Sequence, residues 1–115
     1  MPDATIDPAT FEELQATAGA DFVKELVDTF LEEAPSMLSE LRETLAAGDS
    51  EAFRRAAHSL KSNSNTFGAL SLGAMARELE IKGLDPARDA GSRALDALVQ
   101  EYARVAAALT ELRNA

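Results

Sequence analysis

Between Asp21 and Ala47 the apolar residues keep one helical phase without a break. At about 100° per residue, Val23, Val27, Phe30, Leu31, Ala34, Leu38, Leu41 and Leu45 fall within roughly 40–60° of one line. Pro35 lies inside this run and removes one backbone hydrogen bond. A true break there would reset the phase. The phase carries through, so the spacing predicts a single long helix bent at Pro35. Gly48-Asp49 closes it, with Gly48 in the usual stop position.

The flanking segments are helical too. Asp7 and Pro8 open a short first helix as N-cap and first helical residue; Phe11 and Leu14 mark its apolar side and Gly19 ends it. A third helix starts at Asp49 or Ser50 and runs to about Phe67, with Gly68 ending it. A fourth spans about Leu70 or Ser71 to Lys82 and buries Leu72, Met75, Ala76 and Leu79. Residues 83–91 contain Asp85-Pro86 and read as a linker with room for a turn of helix. The last helix, Ser92 to Leu112, is expected to bury Leu95, Leu98, Val99, Tyr102, Ala106 and Leu109. No strand pattern, repeat or low-complexity tract occurs, and Ala, Leu and Glu dominate. The expectation is an all-α chain of one domain over residues 1–115: an antiparallel up-and-down four-helix bundle with a short extra N-terminal helix covering one end. Residues 1–6 are expected to be a flexible N-terminus.

Charge and residue inventory narrow the function. A net charge of −9 argues against nucleic acid and against an anionic membrane surface as partners. The chain has no cysteine, hence no disulfide, thiol nucleophile or cysteine metal site, and a single histidine excludes multi-histidine zinc patterns. The N-terminal residues lack the pattern of a signal peptide, and no apolar run approaches the roughly 18 residues of a membrane span, so the expected setting is the cytoplasm. A bundle with charged outer faces makes a monomer the default. Phe22, Leu26 and Ile81 fall off the apolar lines of their helices. Two readings fit: the first helix packs on Phe22 and Leu26, or these two join Phe11 and Leu14 in a patch on which another protein docks.

The lone histidine sits in the third helix, on the wrong side for the core. Phe53, Ala56, Ala57, Leu60, Ser64 and Phe67 share one face, and His58 lies about 140° from it, beside Arg54, Lys61, Ser62 and Asn65. That phase excludes a core role. The absence of a second histidine or a nearby carboxylate on the same face argues against a metal, and a solvent-facing helix side offers no pocket for acid–base work. A plain surface residue and a nucleophile stay open. An imidazole that accepts a phosphoryl group from another protein needs exposure, and Lys61 and Arg54, one turn to either side, supply cations. Ser62 is small enough to let a partner approach.

Ala57-His58-Ser59-Leu60-Lys61, then Phe67-Gly68-Ala69, then Leu79-Glu80 resembles the signature of histidine-containing phosphotransfer (HPt) domains. Phe30 to Pro35 resembles the segment that commonly precedes it in that family. The resemblance runs from about Asp21 to Glu80, with the last helix matching only as a helix. It implies that His58 is phosphorylated, through Nε2, and that Lys61 assists; Glu80 is implied as a group that orients the ring. The chain departs from the family pattern at Ser62, usually Gly, and at Asn63, usually Ser.

The function implied by the resemblance is that of a shuttle. A phosphoryl group moves between His58 and aspartates of response-regulator receiver domains in a phosphorelay, with a hybrid histidine kinase as a further candidate partner. No cofactor belongs to this chain, and the divalent metal ion is expected on the receiver. Without a Gly-rich nucleotide loop, no ATP-dependent kinase activity is expected. The rival readings are a helical adaptor that binds a receiver or kinase without transfer and, more distantly, an enzyme acting on a small molecule.

Overall fold

The computed structural model describes residues 5–83 and 92–114. Five helices account for nearly all of them: α1 (Pro8–Ala18), α2 (Ala20–Ala47), α3 (Ser50–Thr66), α4 (Leu70–Lys82) and α5 (Ser92–Asn114). Four pack in a closed ring, α2 on α3, α3 on α4, α4 on α5 and α5 back on α2, while α1 lies against α2 and α3. Cross-links fix the directions. Arg42 and Asp28, near opposite ends of α2, pair with Asp96 and Arg113, near opposite ends of α5, so the two helices are antiparallel. The molecule is 41 Å long, close to the ~42 Å expected of α2 alone at 1.5 Å per residue. α2 therefore sets the length of the bundle.

As the unbroken phase predicts, α2 is continuous through Pro35. Val23, Val27, Phe30, Ala34 and Leu41 are buried, and Pro35 itself is exposed, which lets the ring point to water. Only Gly19 separates α1 from α2. Asp7 caps α1 by accepting from the Thr10 amide at 3.1 Å, and Asp49 caps α3 by accepting from the Ala52 amide at 3.1 Å. Among the described residues no helix is long and apolar enough to cross a membrane.

Three expectations change. Residues 1–6 do not all stay loose: Ile6 is buried in the core, and the Asp7 amide donates to the Gly68 carbonyl at 2.8 Å, so the start of the described chain is tied to the α3–α4 turn. Phe11, assigned to a docking patch, is only 4 % exposed and belongs to the core, because α1 turns its apolar side inward onto α2 and α3. The face of α5 is also shifted. Leu95, Leu98, Glu101, Val105 and Leu109 are buried, whereas Val99, Tyr102 and Ala106 are half-buried on the flank. Glu101 tolerates this position because its carboxylate accepts from Arg104 Nη2 at 2.7 Å and Nε at 2.9 Å at the edge of the core. The linker expected over 83–91 lies outside the described residues except for Gly83.

Candidate functional site

The α3–α4 pair builds the site. Phe53, Ala56, Ala57, Leu60 and Ser64 anchor α3 in the core, so the helix surface one-third of a turn away is held facing outward. The tight turn Phe67-Gly68-Ala69 folds α4 back along it. Gly68 has φ of +86°, and a Cβ there would lie 2.9 Å from the Asp7 carbonyl oxygen and 3.0 Å from Thr10 Cβ. Only glycine meets both demands. Phe67 and Ala69, on either side, are buried. The turn thus fixes the register that carries Glu80 of α4 across to His58 of α3.

His58 is 57 % exposed at its side chain. Its Nδ1 lies 2.8 Å from Glu80 Oε2, and Lys61 Nζ lies 2.8 Å from Glu80 Oε1, so one carboxylate spans the imidazole and the ammonium. The Lys61 ammonium, with the His58 contact second, holds the Glu80 carboxyl below its ordinary range. An ionised carboxylate only accepts hydrogen bonds, so the proton in the contact belongs to Nδ1. In the neutral ring the lone pair is then on Nε2, the nitrogen turned away from Glu80.

The other sequence candidates divide. Ser62 is exposed one turn beyond His58. Asn63 turns its amide back to the Ser59 carbonyl at 2.9 Å, so this departure from the family pattern is absorbed within α3. Asn65, two turns from His58, has its amide over Gly73 of α4, and a Cβ at Gly73 would come within 2.0 Å of its Oδ1. It belongs to the α3–α4 seam rather than to the surroundings of the imidazole. Arg54 is exposed, and its guanidinium reaches toward Gly83, where an added Cβ would lie 3.9 Å from Nε.

Of the residues assigned to docking, Phe22 is 51 % exposed, and Leu14 and Leu26 are half-buried against the core. Only Phe22 offers a broad apolar surface. The sequence reading missed Arg77. Together with Arg54, Lys61, Glu80 and Ile81 it lines a shallow groove between α3 and α4. The signal was available, since Arg77 and Ile81 stand three residues before and one after Glu80, and positions three apart share a helix face.

Comparison with known proteins agrees with this geometry. The family described as Hpt domain matches residues 25–115, and so reaches through α5, beyond the stretch over which the motif is visible. No curated protein matches the chain. Among solved structures, the chain is similar to histidine-containing phosphotransfer protein B (HptB) from Pseudomonas aeruginosa PAO1, with a TM-score of 0.82 and 28 % identity, over 98 % of this chain and 97 % of that one. Because α1 precedes the family match, this structural likeness is what extends to the N-terminal helix.

Proposed function

Because the chain belongs to the Hpt domain family, we propose that it carries a phosphoryl group on His58 between the aspartates of receiver domains. The observation that carries this reading is an exposed imidazole whose Nδ1 is occupied by an ionised carboxylate, which leaves the lone pair on Nε2. The name of the similar Pseudomonas protein, a histidine-containing phosphotransfer protein, supports the same activity.

In the forward step the Nε2 lone pair attacks the phosphorus of an aspartyl phosphate in line. The P–N bond forms as the P–O bond to the donor's carboxylate breaks, and the bonding pair leaves on that carboxylate oxygen. Positive charge develops on the ring, whose Nδ1–H stays on Glu80. Lys61 holds the opposite oxygen of Glu80 and lies one turn from His58, where its ammonium can move to the phosphoryl oxygens. In the reverse step an acceptor carboxylate attacks phosphorus and the pair returns to Nε2. This chain contributes position and charge, and the divalent ion is assigned to the receiver, since Glu80 is already engaged by two cationic or donor groups.

Incubation with a phosphorylated receiver should label the protein with acid-labile, base-stable phosphate, and His58→Gln should abolish the label. Equal labelling of the mutant would refute His58 as the acceptor. Tight receiver binding without any transfer to the wild-type protein would favour an adaptor.

A further inference from the structure

We propose that Arg54 and Arg77 form a cationic clamp that selects and orients the partner, and that the partner surface it takes is the acidic face surrounding a receiver's phosphorylated aspartate. This deepens the phosphotransfer reading and rests on it. The groove between α3 and α4 carries Arg54, Lys61 and Arg77 against a single carboxylate, Glu80, on a molecule whose net charge is −9. Within the groove Glu80 is shared by Lys61 and His58. The charge left facing outward is that of the two arginines, neither of which forms an ion pair among the described residues.

Their placement follows the helix axis to either side of His58. Arg54 lies one turn before His58 on α3 and reaches toward Gly83 at the end of α4. Arg77 lies on α4 one turn before Glu80, on the Lys61 side, because α3 and α4 run antiparallel. Along the helix axis His58 therefore falls between the levels of the two arginines, beside the groove that they line with Ile81, which is 59 % exposed. Guanidinium forks match carboxylates, and a domain that holds a divalent ion for aspartyl-phosphate chemistry does so with carboxylates, which makes the rim around its aspartate acidic. At long range the net charge of −9 on this chain repels such an acidic face. A cationic clamp at the reactive histidine turns that repulsion into orientation, because only an approach with the acidic face toward His58 is attractive.

The clamp gives the salt dependence a sign. For the wild-type protein, kcat/KM of transfer from a phosphorylated receiver falls as sodium chloride rises, because salt screens an attraction. Arg54→Glu/Arg77→Glu should lower low-salt kcat/KM about tenfold or more and reverse the slope, since salt then screens a repulsion. Arg54→Lys/Arg77→Lys should keep the wild-type sign of slope. Receiver binding, measured by calorimetry on the unphosphorylated proteins, should weaken in the Glu variant in parallel. Both side chains are exposed, and a thermal melt checks that each variant is folded. Wild-type binding and an unchanged salt slope in Arg54→Ala/Arg77→Ala would overturn the clamp while leaving His58 as the acceptor. Absence of any label on the wild-type protein would overturn both readings.

Discussion

At the scale of single residues, Glu80 divides the two nitrogens of one ring into different jobs. Its carboxylate is held ionised by Lys61 and His58, so Nδ1 must donate and Nε2 must carry the lone pair. Nitrogen NMR of the neutral protein should show the proton of His58 on Nδ1. Glu80→Ala should release it toward Nε2, and Glu80→Gln, whose amide oxygen still accepts, should retain it. In single-turnover transfer at saturating donor, Glu80→Ala should be slower by about tenfold, equivalent to about 1.4 kcal/mol of lost transition-state stabilisation, with Glu80→Gln in between. Equal rates for the Gln and Ala variants would assign Glu80 to structure alone. The sequence showed that His58 faces away from the core, because helical phase is a property of one element. Helical phase could not bring Glu80 to His58, because that contact depends on how two helices are laid together; only the family resemblance implied it. Arg77 was marked in α4 only by its three-residue spacing to Glu80, and its place in the groove depends on α3 lying beside it.

At the scale of elements, the α3–α4 pair contains two glycines with opposite tolerance. Gly68 combines a left-handed φ with backbone atoms of Asp7 against its α-carbon. Gly68→Ala meets about 1–3 kcal/mol of conformational strain before any clash is counted, and the neighbouring backbone cannot withdraw without breaking the Asp7–Gly68 hydrogen bond. Chemical denaturation should show a loss of more than about 2 kcal/mol. Gly73 is different: its obstacle is the end of the Asn65 side chain, which is exposed and free to swing aside. Gly73→Ala also gains up to about 1 kcal/mol of helix propensity, so its stability should stay within about 1 kcal/mol of wild type. A large loss at Gly73 would mean that α3 and α4 cannot accommodate a displaced Asn65. The long helix was legible because its stripe is uniformly apolar and Pro35 happens to point outward. The last helix was harder. Alanines, Val99 and Tyr102 make a plausible stripe next to the real one, and the buried Glu101 disguises the true face as polar.

At the scale of the whole molecule, the ring of four helices is closed at the surface by charged cross-links between α2 and α5. Asp28 accepts two hydrogen bonds from Arg113, one of them from Nη2 at 2.9 Å, and this pairing holds its carboxyl below the ordinary value of 3.8. A lowered folded-state value means that the stabilisation is present above the unfolded value and disappears as pH falls through the folded one. Melting temperature should therefore drop on acidification from about pH 5 to about pH 2, and Asp28→Asn should shallow that drop. An identical acid limb in the variant would show that the pair contributes nothing to folding. The aromatic packing at the centre of the ring has a practical consequence. The chain has no tryptophan and one tyrosine, Tyr102, whose ring sits edge-on to Phe30 at 6.0 Å, while Phe30 in turn packs against Phe67 at 5.4 Å. Burial pushes the Tyr102 phenol up, so it stays protonated well into alkaline solution. Excited beyond the phenylalanine band, ultraviolet emission from the unmodified protein thus arises from one tyrosine whose neighbours link α2 to the α3–α4 turn, and its intensity is a built-in gauge of whether those elements remain docked.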